Sequence, residues 1–158
     1  MPAPVIFDVE TSLSPETVRT ALLDFTDRRP QLWPGLSEKL YKVYSVGPTE
    51  AEIQEGTASP GMEVWARERY DWSKPGVVRW TVVHSNFSAP GSYVQATFHD
   101  RPGGGARITI EWNRTGFNFK GRLMVGLIRL IGARPVKASF EMALRRMEES
   151  QGHVAATG

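Results

Sequence analysis

Residues 62–87 read MEVWARERYDWSKPGVVRWTVVHSNF, and this stretch decides the fold. Its first half alternates. Met62, Val64, Ala66, Glu68, Tyr70 and Trp72 fall on one side of an extended chain, and Glu63, Trp65, Arg67, Arg69 and Asp71 on the other. The second set is mostly charged, so the first must face a core. Ser73-Lys74-Pro75-Gly76 then reverses the chain, and Val78, Trp80, Val82 and His84 alternate against Val77, Arg79, Thr81, Val83 and Ser85. Two period-two segments joined by a Pro-Gly turn read as an antiparallel hairpin.

The pattern extends in both directions. Leu40 to Val46 turns at Gly47-Pro48, and Ala51 to Thr57 ends at Ser59-Pro60-Gly61. Val77 to Phe87 turns at Ala89-Pro90-Gly91, Tyr93 to His99 turns at Arg101 to Gly105, and Arg107 to Arg114 closes the run. Every turn carries Gly, Pro or both. Connections this short leave no room for crossover helices, so the sheet is antiparallel. The same parity puts Ala51, Ile53 and Glu55 inward against Glu52 and Gln54, and Ile108, Ile110 and Trp112 inward against Arg107, Thr109 and Glu111.

The ends of the chain differ. Val5 to Glu10 is a half-buried strand, with Val5, Phe7 and Val9 on one face. Ser14-Pro15-Glu16 is a helix start: a Ser cap, Pro at the first helical position and an acid in the first turn. The helix places Val18, Ala21, Leu22 and Phe25 on one stripe and ends before Asp27, with Gln31-Leu32-Trp33 at most one further turn. After residue 120 the spacing becomes helical. Gly121 to Ala133 is apolar but punctuated by glycines, and Pro135 opens an amphipathic helix with Val136, Phe140, Ala143, Leu144 and Met147 inward. Pro135 lacks a donor, which predicts a break at Gly132–Pro135.

Composition bounds the function classes. A chain of 158 residues suffices for one domain, hiding roughly 70% of its unfolded surface. We expect that domain over residues 1–150, with disorder confined to Met1–Pro4 and a flexible tail at 151–158. The 19 basic and 17 acidic side chains are interspersed, which argues against a nucleic-acid stripe. Absence of cysteine removes disulfides, thiolate metal sites and a Cys nucleophile. The N-terminus has neither a basic region nor a long apolar stretch, so no signal peptide is visible and a cytoplasmic location is expected. The longest apolar run, Leu123 to Gly132, is too short to span a bilayer and contains Arg129.

The order of strand, two short helices, six-strand antiparallel run and long final helix resembles the START-like (SRPBCC) superfamily, which includes polyketide cyclase/dehydrase and lipid-transfer proteins. The local cues are Arg28-Arg29-Pro30-Gln31-Leu32-Trp33-Pro34-Gly35, Gly104-Gly105-Ala106-Arg107-Ile108-Thr109-Ile110 and the terminal Ala143-Leu144-Arg145-Arg146-Met147-Glu148. The resemblance implies an α+β helix-grip fold, in which a seven-stranded antiparallel sheet wraps the C-terminal helix around an apolar cavity. Some members of the superfamily cyclise polyketides; others bind or carry a hydrophobic ligand.

On that plan the cavity wall draws on Trp33, Ile53, Trp72, Trp80 and Val82, and on Ile110, Trp112, Met124 and Phe140. Four polar residues share the inward faces: Glu55, Glu68, Tyr70 and His84. A carboxylate on an apolar face needs a partner or a purpose. Glu55 and Glu68 therefore read either as members of ion pairs or as acid–base groups, and His84 as a rim imidazole or a base. Gly103-Gly104-Gly105 is a hairpin turn, since no Lys-Ser/Thr and no helix follows it. His84, His99 and His153 lack metal-ligand spacing, and no metal or other cofactor is expected.

Three readings follow. The first is binding of a small hydrophobic ligand (lipid-, acyl- or polyketide-like) between sheet and helix. The second is a polyketide cyclase or dehydratase with Glu55 or Glu68, His84 and Tyr70 as candidate catalytic groups. The third is lipid transfer at a membrane surface through residues 120–134, where Lys120, Arg122, Arg129 and Arg134 flank apolar side chains.

Overall fold

Short turns dictate the topology. The computed structural model describes residues 3–132 and 134–157, with side chains described through residue 150. Along the chain run β1 (Val5–Thr11), α1 (Pro15–Leu22), α2 (Arg29–Leu32), β2 (Lys42–Val46), β3 (Glu50–Ser59), β4 (Met62–Asp71), β5 (Val77–Ser85), β6 (Tyr93–Asp100), β7 (Ala106–Asn113), α3 (Phe119–Leu130) and α4 (Arg134–Thr157). One seven-stranded sheet, ordered β1-β7-β6-β5-β4-β3-β2, holds all the strands in antiparallel pairs. β1 thus joins the last strand, and α1 and α2 carry the chain from one edge of the sheet to the other.

Local chemistry sets the helix ends. Ser14 Oγ accepts from the Thr17 amide at 3.1 Å, and Pro15 follows at the first helical position. Asn118 caps α3 by accepting from the Gly121 amide at 2.8 Å. Gly121 lies so close to the β5–β6 connection that a Cβ there would sit 2.0 Å from the Phe87 carbonyl oxygen. Only glycine permits that approach, which anchors the start of α3. The expected break follows Leu130: Gly132 takes a left-handed φ of 74°, and Pro135 falls in the first turn of α4.

α4 lies across the concave face of the sheet. Its buried residues Ala143, Leu144 and Met147 join Val9, Ile108 and Ile110 from β1 and β7, Val18 and Leu22 from α1, and Ile53, Tyr70, Val78, Trp80 and Trp112 from the sheet. Full burial of a Leu or Met is worth about 1.5–3 kcal/mol, so Leu144 and Met147 outweigh any surface ion pair in holding the helix down. At the N-terminal side the Ala3 carbonyl accepts from Arg129 Nη1 at 2.8 Å. The side chains of the expected tail, residues 151–158 with His153 among them, lie outside the described set, although the backbone of α4 continues to Thr157.

One expectation from strand parity is overturned. β5 is irregular opposite β4: Arg67 pairs with His84 but Glu68 pairs with Val82, so Val83 is an extra residue. Past this bulge the parity inverts. Ser85 becomes buried and His84 turns outward, exposed, with its ring 5.2 Å from that of Trp65.

Candidate ligand-binding site

Two arginines organise the polar part of the concave face. Arg29, at the start of the single-turn α2, is 1% exposed. Its Nε donates to Glu55 on β3, its Nη1 to the Leu22 carbonyl at 2.7 Å and the Asp24 carbonyl at 3.2 Å, and its Nη2 to the Tyr70 hydroxyl at 2.9 Å. Tyr70 in turn donates to Glu55, 3.2 Å from Oε2. Burial works against the charge of Arg29, but Glu55 and Tyr70 together hold its pKa above the ordinary arginine value. The Tyr70 hydroxyl is driven well above its usual range, first by burial and then by the Glu55 carboxylate.

The second arginine follows β7. Arg114 Nη2 donates to Glu68 Oε2 at 3.0 Å. Glu68, on β4, is 2% exposed, and burial lifts its pKa to about 7 against the opposing pull of Arg114.

Between these pairs and α4 lies a partly open cavity of about 260 Å³. Leu22, Trp33, Leu36, Trp80 and Phe140 supply its apolar wall, and Arg29, Glu55, Tyr70 and Arg114 its polar groups. The aromatic side chains brace one another. Tyr70 stacks on Trp80 with centroids 5.3 Å apart and planes 8° from parallel, while Phe140 meets Trp33 edge-on at 5.9 Å. Apolar walls with a few fixed polar groups are the usual construction of a small-ligand pocket.

No protein-family model matches the chain, and no curated protein matches it in sequence. Its shape, however, matches solved structures. TTHA0849 from Thermus thermophilus aligns with a TM-score of 0.70 at 16% identity, over 98% of this chain and 99% of that one. The Zhui aromatase/cyclase from Streptomyces sp. R1128 gives 0.71 at 11% identity, over 98% and 97%. A START superfamily protein from Mycobacterium smegmatis gives 0.70 at 10% identity, over 92% and 99%. The chain has the START-like helix-grip fold. At these identities the likeness concerns the fold alone.

Within the helix-grip frame the sequence candidates separate into groups. Trp33, Glu55, Tyr70, Trp80 and Phe140 come together around the cavity. Glu68 stands behind it, reaching it through Arg114. Ile53, Val82, Ile110 and Trp112 are buried in the closed core. Trp72 sits beyond Phe25, at 6.0 Å between centroids, and gives its indole N–H to the Pro48 carbonyl at 3.0 Å. Met124 is half-buried on α3 and does not line the cavity. His84 is on the opposite face of the sheet. Among the described residues no three His, Asp or Glu side chains cluster as a metal site.

Strand parity does not reach Arg29, which lies outside the strands, whereas Arg114 continues the Ile108, Ile110, Trp112 series at the very end of the expected last strand; neither is among the sequence candidates. A usable signal was present nonetheless: two inward carboxylates on apolar strands require cations, and Arg28-Arg29 and Arg114 flank the sheet. A larger hollow of about 810 Å³ lies outside the grip, along α1 and α2. Glu16, Thr17, Thr20, Asp24, Arg28 and Gln31 line much of it, beside Ala21, Leu23, Phe25 and Leu32.

Proposed function

We propose that this protein binds a compact hydrophobic small molecule in the cavity between the sheet and α4. The observation that carries this reading is the 260 Å³ space walled by Leu22, Trp33, Trp80 and Phe140 with Arg114 at its border. That volume falls at the lower edge of the usual range for ligand pockets, which favours a one- or two-ring molecule or a short acyl chain over an extended polyketide. The aromatase/cyclase neighbour makes aromatic, polyketide-like compounds sensible members of a test panel. Native mass spectrometry after incubation with cell extract and such a panel tests the reading. A retained hydrophobic molecule is expected; a protein that stays empty and is stabilised by no panel member would contradict it.

The cyclase reading has weaker geometric support. Carbon-acid chemistry needs a free base and an oxyanion donor facing one substrate position. Glu55 is engaged by Arg29 and Tyr70, Glu68 by Arg114, and His84 is outside the cavity. Binding requires none of these groups to be free.

A specific observation favours a second reading, contact with an anionic membrane surface. α3 is apolar on both sides. Val125 is buried and Met124 and Ile128 are half-buried, whereas Phe119 (81% exposed), Leu123 (66%), Leu127 (57%) and Leu130 (82%) form an outer strip. Exposed Lys120 and Arg122 border it. An apolar strip edged by cations suits the interfacial zone of a bilayer, and no helix among the described residues is long and apolar enough to cross one. Co-sedimentation with phosphatidylserine-containing vesicles at low and high salt tests it. Binding that weakens with salt and is lost on Leu123→Glu is expected; no binding at low salt sinks the idea.

A further inference from the structure

The polar edge of the cavity is incomplete in one place. Among the described residues, neither Arg114 Nη1 nor Trp33 Nε1 has a hydrogen-bond partner, and both atoms are shielded from solvent. Both side chains line the same cavity. An unmatched buried N–H is disfavoured, and one on a guanidinium strongly so, which makes each a standing demand for an acceptor. Elsewhere Arg114 gives Nη2 to Glu68 at 3.0 Å, sets its guanidinium 5.9 Å from the Phe87 ring centre, and accepts at its main-chain carbonyl from Arg129 Nη2 at 3.4 Å.

We propose that the ligand carries an oxygen acceptor, a carboxylate foremost, which docks on Arg114 Nη1 and Trp33 Nε1, with Glu68 as the positioning residue that holds Arg114. This rests on the cavity reading above and adds the chemical class of what enters. The aromatic wall takes the apolar body of the molecule, and the two donors take its head. An N–H from an indole and one from a guanidinium discriminate by acceptor strength, so acid binds better than ketone and ketone better than hydrocarbon.

Charge balance supports the choice. Arg29 is matched by Glu55 and Tyr70, so among the described residues the variable charge facing Arg114 is that of Glu68 on β4; Glu55 on β3, Arg29 on α2 and Arg129 on α3 are further charged groups nearby. When Glu68 is protonated, Arg114 is a buried cation without a counterion, and an incoming carboxylate supplies one. Binding of an anion is thereby linked to proton uptake at Glu68.

Calorimetric titration of the full chain with 2-naphthoate and with 2-methylnaphthalene, at pH 6 and pH 8, tests the proposal. The probe carboxylate is ionised at both. We expect 2-naphthoate to bind about tenfold or more tightly than the hydrocarbon, with the greater advantage at pH 6. Arg114→Met should abolish the advantage, and Trp33→Phe, which keeps an aromatic ring and removes the donor, should reduce it several-fold, the advantage being read in each variant as the ratio of the two probes' affinities. Glu68→Gln should remove the pH dependence while keeping the preference for the acid. Equal affinities for the two probes in the unaltered protein overturn the oxygen-docking proposal and leave the cavity reading standing. An acid preference that Trp33→Phe and Arg114→Met both leave intact also overturns it. Failure of both probes to bind at either pH overturns both.

Discussion

Arg29 and Arg114 stand at two borders of one cavity and differ in how many of their donors the protein uses. Arg29 commits every nitrogen to the protein: to a carboxylate, two carbonyls and a hydroxyl. Arg114 gives Nη2 to Glu68 and leaves Nη1 without a partner among the described residues. Each is a cation paired with a carboxylate on the inner face, Arg29 fully buried and Arg114 partly so, yet the first reads as a clamp and the second as a socket. A saturated arginine ties α2 to β3 and β4 and so shapes the cavity floor. An unsaturated one has bonding capacity left for a guest. Residue type alone would not separate these roles; counting donors does.

The largest expected effect comes from breaking the clamp. Arg29→Met leaves Glu55 buried beside Tyr70 without its cation and should lower unfolding free energy by about 3–5 kcal/mol in urea denaturation. Arg114→Met should lose less, about 1–2 kcal/mol, because Glu68 escapes its unpaired charge by taking up a proton. Equal losses would erase the distinction.

The next test uses pH. Glu68 has a folded-state pKa of about 7 against an ordinary carboxyl value of 4.5. Between those values the folded protein holds a proton that the unfolded chain releases. Its contribution to stability is therefore present below the unfolded value, falls as pH rises from about 4.5 towards 7, and is exhausted above that. The change is on the order of 3 kcal/mol. Glu68→Gln should flatten the profile of unfolding free energy across this window; an unaltered slope would move the titration to another group.

Smaller effects sharpen the picture. Tyr70→Phe removes the hydroxyl that bridges Arg29 and Glu55 while keeping the stack on Trp80, and should lower stability by about 1–3 kcal/mol. His84→Ala should change stability by less than about 0.5 kcal/mol and ligand binding not at all, since the imidazole is exposed on the far face. A large loss of binding in that variant would restore His84 as a site residue.

His84 also marks where the sequence stops being legible. Period-two alternation placed Tyr70, Trp80 and Ile110 on the inner face because each lies in an uninterrupted ladder, and Glu68 because the extra residue falls on the partner strand. The extra residue at Val83 obeys no local rule: it arises from how β4 and β5 pair, with Ser85 giving its hydroxyl hydrogen to the Trp65 carbonyl at 2.7 Å and Asn86 accepting from the Trp65 amide at 2.9 Å. The helix-grip plan was visible in turn chemistry and helix caps, which act over a few residues. The arginine partners were not, because Arg29 and Glu55 are 26 positions apart and Glu68 and Arg114 are 46 apart. α3 was ambiguous for a further reason: glycine-punctuated apolar spacing has no single inward face, and the structure divides it between an inner and an outer strip.

Whether Arg114 and Trp33 form a socket is read out most plainly by a two-dimensional amide and indole NMR titration of the full chain with 2-naphthoate. Shifts should concentrate at Leu22, Trp33, Leu36, Trp80, Arg114 and Phe140, with the Trp33 indole proton moving most. Shifts confined to the α1–α2 groove or to α3, with the Trp33 indole unmoved at saturation, would contradict the socket.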